Sequence, residues 1–186
     1  MKLGKTLGAG LAALSSLLLV AAPAGATTAS ATLNAGSLGF ASTPGNVTFP
    51  STTLNGQNKT LTASQPLDIA DATGSGAGWN ITATSTLFKS GSYTLPAGAT
   101  TISSPPAAPT CDTGVTCTVA GSTTVSYPYS LQAGATAPTA TKLFNAPRGT
   151  GMGDQTLTPT WSLAIPANAY AGNYTSTWTL SLVSGP

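Results

Sequence analysis

The chain carries few groups able to do covalent chemistry, and their identities restrict what that chemistry could be. It has no histidine and no glutamate, and its four acids are Asp68, Asp71, Asp112 and Asp154. Without an imidazole, neither a Ser-His-Asp nor a Cys-His arrangement can be assembled within the chain, because the nucleophile needs an adjacent base. A glycosidase pair would have to come from the four aspartates. The nearest approach to a motif is Asp112-Thr113-Gly114, the tripeptide of aspartic proteases. Those enzymes need two carboxylates sharing a proton, each on a loop between apolar strands. Here there is no second copy, and Asp71-Ala72-Thr73-Gly74 is one residue too long. Turn chemistry accounts for Asp and Gly at such positions equally well. A hydrolase would require two of the aspartates to converge in the fold, and the expectation is that the protein is not an enzyme.

Cys111 and Cys117 enclose Asp112-Thr113-Gly114-Val115-Thr116. In an exported protein, an even cysteine count at close spacing reads as one disulfide. Two thiols in a chain without histidine cannot complete a typical zinc site, so neither a metal nor a cofactor is expected. Gly74-Ser75-Gly76-Ala77-Gly78 and Gly149-Thr150-Gly151-Met152-Gly153 are alternating-glycine loops. A phosphate-cradling loop opens into a helix, whereas both of these lead into strand-like segments. They mark either two matched sheet edges with close backbone approach, or simply a composition containing 21 glycines. Asn46, Asn58, Asn80 and Asn173 each begin an Asn-x-Thr sequon, a pattern expected by chance in so Thr-rich a chain and meaningful only where asparagine is glycosylated.

The aromatic residues remain. Trp79, Trp161 and Trp178 each fall on the apolar side of an alternating segment, which makes them core residues first and ligand contacts second. Tyr127, Tyr129 and Tyr170 lie near prolines in expected loops or edges. Their rings are the better candidates for stacking on a sugar face, the amphipathic ring being suited to interfaces. A packed role is the simpler reading for them too.

The elements that must position these residues are strands. From Leu157, one side carries Leu157, Pro159, Trp161, Leu163 and Ile165 and the other Thr158, Thr160, Ser162 and Ala164. From Tyr174, the apolar side carries Tyr174, Trp178, Leu180 and Leu182; from Trp79, it carries Trp79, Ile81, Ala83 and Leu87. Period 2 with β-branched Thr on the wet face is the pattern of a half-buried strand. Weaker strands are expected in 31–40, 46–49, 61–69, 100–103 and 116–131, where Pro128 argues for an edge or a break. Frequent turn signals between many short strands predict an all-β, antiparallel β-sandwich or barrel-like single domain over 27–186.

An N-terminal signal peptide helix over 1–26 is expected ahead of it. Lys2 and Lys5 form a basic start, residues 7–20 an apolar run, and Ala24-Gly25-Ala26 a small-x-small cleavage site. The run is short for a span of roughly 30 Å of hydrocarbon, so export and removal are expected, leaving no membrane attachment. Losing Lys2 and Lys5 leaves four cations against four aspartates, a net charge of zero. A neutral surface provides no steering toward nucleic acid or anionic lipid, and nucleic-acid binding is disfavoured.

Two segments resemble the WxL domains, a family of surface proteins. Residues 71–81, ending in Gly78-Trp79-Asn80-Ile81, are similar to the Gly-rich lead-in and first Trp-x-Leu motif. Residues 170–180, Tyr-Ala-Gly-Asn-Tyr-Thr-Ser-Thr-Trp-Thr-Leu, are similar to the motif that closes those domains. The first motif departs from the pattern by having Ile81 in place of Leu, an apolar exchange on the same face. Trp161-Ser162-Leu163 repeats Trp-x-Leu in a form common to any strand. The resemblance implies a protein secreted to the cell surface and held non-covalently on the Gram-positive cell wall through peptidoglycan. No sorting motif with an apolar tail follows, so covalent anchoring is not expected. The competing expectation is a structural subunit of a surface fibre or coat, self-associating through strand edges that carry few charges.

Overall fold

Pleated segments with Thr on one side and bulky apolar residues on the other must pair and then cover the apolar side. The structure, a computed structural model, describes residues 25–121 and 123–186; residues 1–24, which hold nearly all of the expected signal segment, and Ser122 lie outside them. Residues 25–33 carry no strand and are exposed, and 34–186 form one compact unit.

Among the described residues there are strands and no helices. In chain order they are β1 (Leu38–Phe40), β2 (Lys59–Ser64), β3 (Leu67–Asp71), β4 (Trp79–Thr86), β5 (Lys89–Ser90), β6 (Tyr93–Thr94) and β7 (Thr100–Ile102). There follow β8 (Thr110–Cys111), β9 (Tyr129–Ser130), β10 (Ala133–Gly134), β11 (Thr141–Ala146), β12 (Gly153–Leu157), β13 (Thr160–Ile165) and β14 (Trp178–Ser184). One sheet runs β1-β3-β12-β8 and another β2-β13-β7-β9. The third is built around β4, which pairs antiparallel with β14 and β11 and, at Ser85 and Thr86, parallel with β10. β5 and β6 form a separate hairpin. The sheets pack their apolar faces together as a β-sandwich, with Leu67, Ile69, Trp79, Ile81, Leu143, Leu157 and Trp161 fully buried.

Two of the expected strands are broken by proline and change sheet. The 61–69 segment divides at Gln65-Pro66 into β2 and β3, and the segment from Leu157 divides at Thr158-Pro159 into β12 and β13. β2 pairs with β13 and β3 with β12, so the same two-stranded ribbon turns a corner from one sheet into the next. Proline cannot donate to a ladder, which suits it to such a corner. The Gln65 N–H still donates to the Pro159 carbonyl at 3.0 Å. The side chain of Gln65, 4% exposed, closes the corner: its amide nitrogen donates to Gly45 O at 2.9 Å, and its oxygen accepts the Trp161 Nε1–H at 2.9 Å.

The weaker expectations fare unevenly. Among the described residues, only Leu38–Phe40 of 31–40 and only Tyr129–Ser130 of 116–131 form strands. Residues 46–49 form none. Val47 and Phe49 turn inward onto the core while the backbone stays unpaired, so 42–58 crosses the domain as a strap. Thr118 forms an isolated antiparallel bridge with Met152, and beyond it Ala120 and Thr124 are held by side chains. The Gln155 amide oxygen accepts from Ala120 N at 2.8 Å, and that of Asn145 accepts from Thr124 N at 2.9 Å.

The two glycine loops do meet. Gly149 N donates to Gly76 O at 2.9 Å, and all six loop glycines have positive φ. Beside them, Trp79 Nε1 donates to Gly151 O at 2.9 Å. Cys111 and Cys117 form the expected disulfide; closing so small a loop contributes about 2 kcal/mol through chain entropy.

Candidate functional site

Among the described residues β14 pairs with β4 alone and β2 with β13 alone. Side chains from β14, β2 and β13, together with Phe88, the strap and the 169–177 loop, enclose a cleft of about 1330 Å³. Its floor is apolar, with Phe49, Leu61, Phe88, Leu163, Ile165 and Trp178; polar lining includes Asn46, Thr48, Asn173, Thr175 and Ser176. Among the described residues no acid and no cation lines it.

The cleft is joined to the core by a run of aromatic rings. Buried Trp161 meets Tyr129 edge-on at 6.3 Å and Trp178 at 4.8 Å. Trp178 in turn meets Phe88 at 6.3 Å and Phe49 at 6.5 Å. Edge-to-face packing lets each ring present its positive edge to its neighbour's negative face. The expected motif residues therefore divide. Trp79 and Ile81 are sealed in the core, as is Trp161, and Leu163 is nearly so, whereas Trp178 and Leu180 are half-buried and line the cleft. Alternation had placed all three indoles inward; the third faces inward from a strand with one neighbour, which leaves part of its ring uncovered.

The tyrosines also separate. Tyr129 is 6% exposed, and its hydroxyl meets Thr141 Oγ1 at 3.0 Å, so its ring is committed to the core. Tyr127 is half-buried and donates to Leu143 O at 2.6 Å. Tyr170 is 59% exposed and borders the cleft. Tyr93, which sequence reasoning passed over, stacks against it at 3.9 Å. The signal for it was Lys89-Ser90-Gly91-Ser92-Tyr93-Thr94, a hairpin sequence whose Gly91 has a φ of 58°.

Burial pushes the Tyr127 hydroxyl up to about 12 and raises that of Tyr129 as well. For a group whose folded pKa lies above its unfolded one, the stabilisation is complete below the unfolded value and fades as pH rises toward the folded one. Stability is therefore expected to fall between pH 10.0 and about 12. Denaturant midpoints across that window should show a shallower decline in Tyr127→Phe than in the parent; equal slopes would mean that the hydroxyl is not shielded.

The aspartates do not converge on the cleft. Asp71 accepts from Thr73 N and Oγ1 in a local turn, and Asp112 accepts the Thr156 hydroxyl at 2.8 Å beside the disulfide. Among the described residues no cluster of His, Cys, Asp or Glu is arranged to hold a metal.

Fold and cleft together define a disulfide-bonded β-sandwich with an uncharged, aromatic-floored groove. Compared with known proteins, the chain matches no family model, no curated protein and no solved structure.

Proposed function

We propose that this protein is a secreted surface module that associates non-covalently with the Gram-positive cell wall, with peptidoglycan as the polymer it holds. The observation that carries this reading is the cleft: large, free of charge, apolar on its floor and lined elsewhere with hydroxyls and amides. Such a lining can hydrogen-bond a neutral polymer while excluding ions that would have to shed water without a partner. The disulfide supports an oxidising compartment. Sedimentation with purified Gram-positive walls tests it. Binding is expected to persist from low to high salt, since no ion pair contributes. Protein left in the supernatant at low salt would exclude the reading.

A second reading has its own observation. β14 is seven residues long and uncharged, among the described residues it is paired on one side only, and its Val183 is 48% exposed. An unguarded edge of this kind can template pairing with another copy, as in a surface fibre or coat. Size-exclusion chromatography separates the two: concentration-dependent large assemblies favour the subunit, a wall-binding monomer the module.

A further inference from the structure

The rim of the cleft bears an aromatic surface that the fold itself does not use. Tyr93 and Tyr170 stack with ring planes 14° apart and are 44% and 59% exposed. Tyr93 covers one face of the Tyr170 ring, and more than half of Tyr170 remains exposed to solvent.

The pair is held rigidly from behind. Lys89 N donates to Thr175 O at 2.9 Å and Thr175 N to Lys89 O at 3.0 Å, which fastens the hairpin carrying Tyr93 to the loop carrying Tyr170. Thr86 N donates to Thr177 O at 2.9 Å, and Tyr174 Oη donates to Tyr170 O at 3.0 Å. Between them, Gly172 lies so close to Ser90 that any Cβ would overlap its hydroxyl. The Tyr-Ala-Gly-Asn-Tyr stretch thus has a structural reason for its glycine, and its outcome is a preset aromatic platform.

We infer that the exposed Tyr170 stacks on a pyranose ring of a neutral glycan strand, with Tyr93 fixing the platform and the adjoining cleft receiving the next sugars; this rests on the wall-binding reading above. A pyranose presents a C–H face suited to an aromatic ring and an equatorial rim of hydroxyls. The cleft beside Tyr170 has the matching pair of surfaces, Trp178 and Phe49 below and Asn173, Thr175 and Ser176 alongside. Wall peptides carry carboxylates and amines, and anionic wall polymers carry phosphates. Among the described residues the cleft has no charged side chain, so it would take water from those ions and offer only neutral hydrogen bonds in place of an opposite charge. The glycan is the component of the wall that fits.

Titration of the purified protein with a β-1,4-linked N-acetylglucosamine tetramer, read by calorimetry and tryptophan fluorescence, tests the platform. Saturable binding is expected, weakened about tenfold in Tyr170→Ala, the scale of one aromatic contact, and about threefold in Tyr93→Ala. Tyr170→Trp should keep or tighten it. Because both rings are exposed, melting temperatures of all three variants should match the parent, which separates lost contact from lost fold. Tyr170→Ala binding like the parent would overturn the inference. So would a parent that sediments with walls yet ignores the tetramer, an outcome that leaves the wall reading standing and moves the contact to another surface or to the stem peptide. Tyr170-dependent tetramer binding by a protein that does not sediment with walls would uphold the platform and remove the wall reading.

Discussion

Replacing Gly151 with alanine should destabilise the protein by about 4 kcal/mol, a large part of the 5–15 kcal/mol that holds an ordinary domain together. Three penalties meet at this residue. Its φ is +82°, a left-handed conformation that costs alanine about 1–2 kcal/mol. A Cβ there would occupy space already filled by the Trp79 indole nitrogen and, at 2.7 Å, by the Ala146 methyl; overpacking of a filled core costs about 1–3 kcal/mol. Relief of that overlap would pull apart the Trp79 Nε1–H···O bond to Gly151, and a buried donor left without a partner adds about 1–3 kcal/mol. Gly149 is the control. Its φ is +76° and nothing lies within 4 Å of where a Cβ would stand, so Gly149→Ala should incur only the backbone cost of about 1–2 kcal/mol. Urea unfolding of both variants, followed by tryptophan fluorescence, decides the matter. If the two midpoints coincide, the glycine loops are not packed as described.

How much of this was legible beforehand depends on which physical effect decided each element. Trp79 and Trp161 were readable as core because period 2 places Ile81 and Leu163 beside them on the same side, and burial follows side-chain direction. The same periodicity runs without interruption through Leu157, Pro159 and Trp161, although the chain changes sheet there. A ribbon can turn a corner while keeping one face inward, so alternation reports burial and is silent on partnership. Residues 46–49 show the converse case. Val47 and Phe49 alternate inward as a strand would, yet no backbone comes alongside to pair with them. Pairing is a non-local property, set by where Gln65 draws the strap through Gly45.

For the cleft the missing information was also non-local. Trp178 and Leu180 stand on the correct side of their strand, but only the position of β14, with one bonded neighbour, leaves them half-covered. The Tyr93–Tyr170 stack joins residues far apart in the chain through a hairpin and a loop whose register the sequence does not announce. Glycine was the better guide: two alternating-Gly loops predicted close approach as one of two alternatives, and Gly149 bonded to Gly76 is that approach.

Trp161 ties these levels together, and its removal should have an effect comparable to that of the glycine. Truncating a fully buried Trp to Ala typically costs about 3–5 kcal/mol. Here the deletion also strips Gln65 Oε1 of its donor, an unsatisfied buried acceptor worth about 1–3 kcal/mol. Trp161→Phe divides the two contributions, since it keeps most of the apolar ring and loses the N–H; about 1–3 kcal/mol is expected of it. Trp178→Ala should be milder, at about 1–2 kcal/mol, because its ring is half-exposed and so forfeits less apolar burial. The ordering Trp161→Ala, then Trp161→Phe, then Trp178→Ala or level with it, is read from unfolding midpoints. Pairing Trp161→Phe with Gln65→Leu closes the argument, because the second substitution removes the stranded acceptor. If the amide–indole bond is what Trp161→Phe loses, the double variant should cost less than its two single changes added together. Strict additivity would mean that Gln65 fastens the strap and the sheet corner without help from the indole, and that Trp161 acts by volume alone.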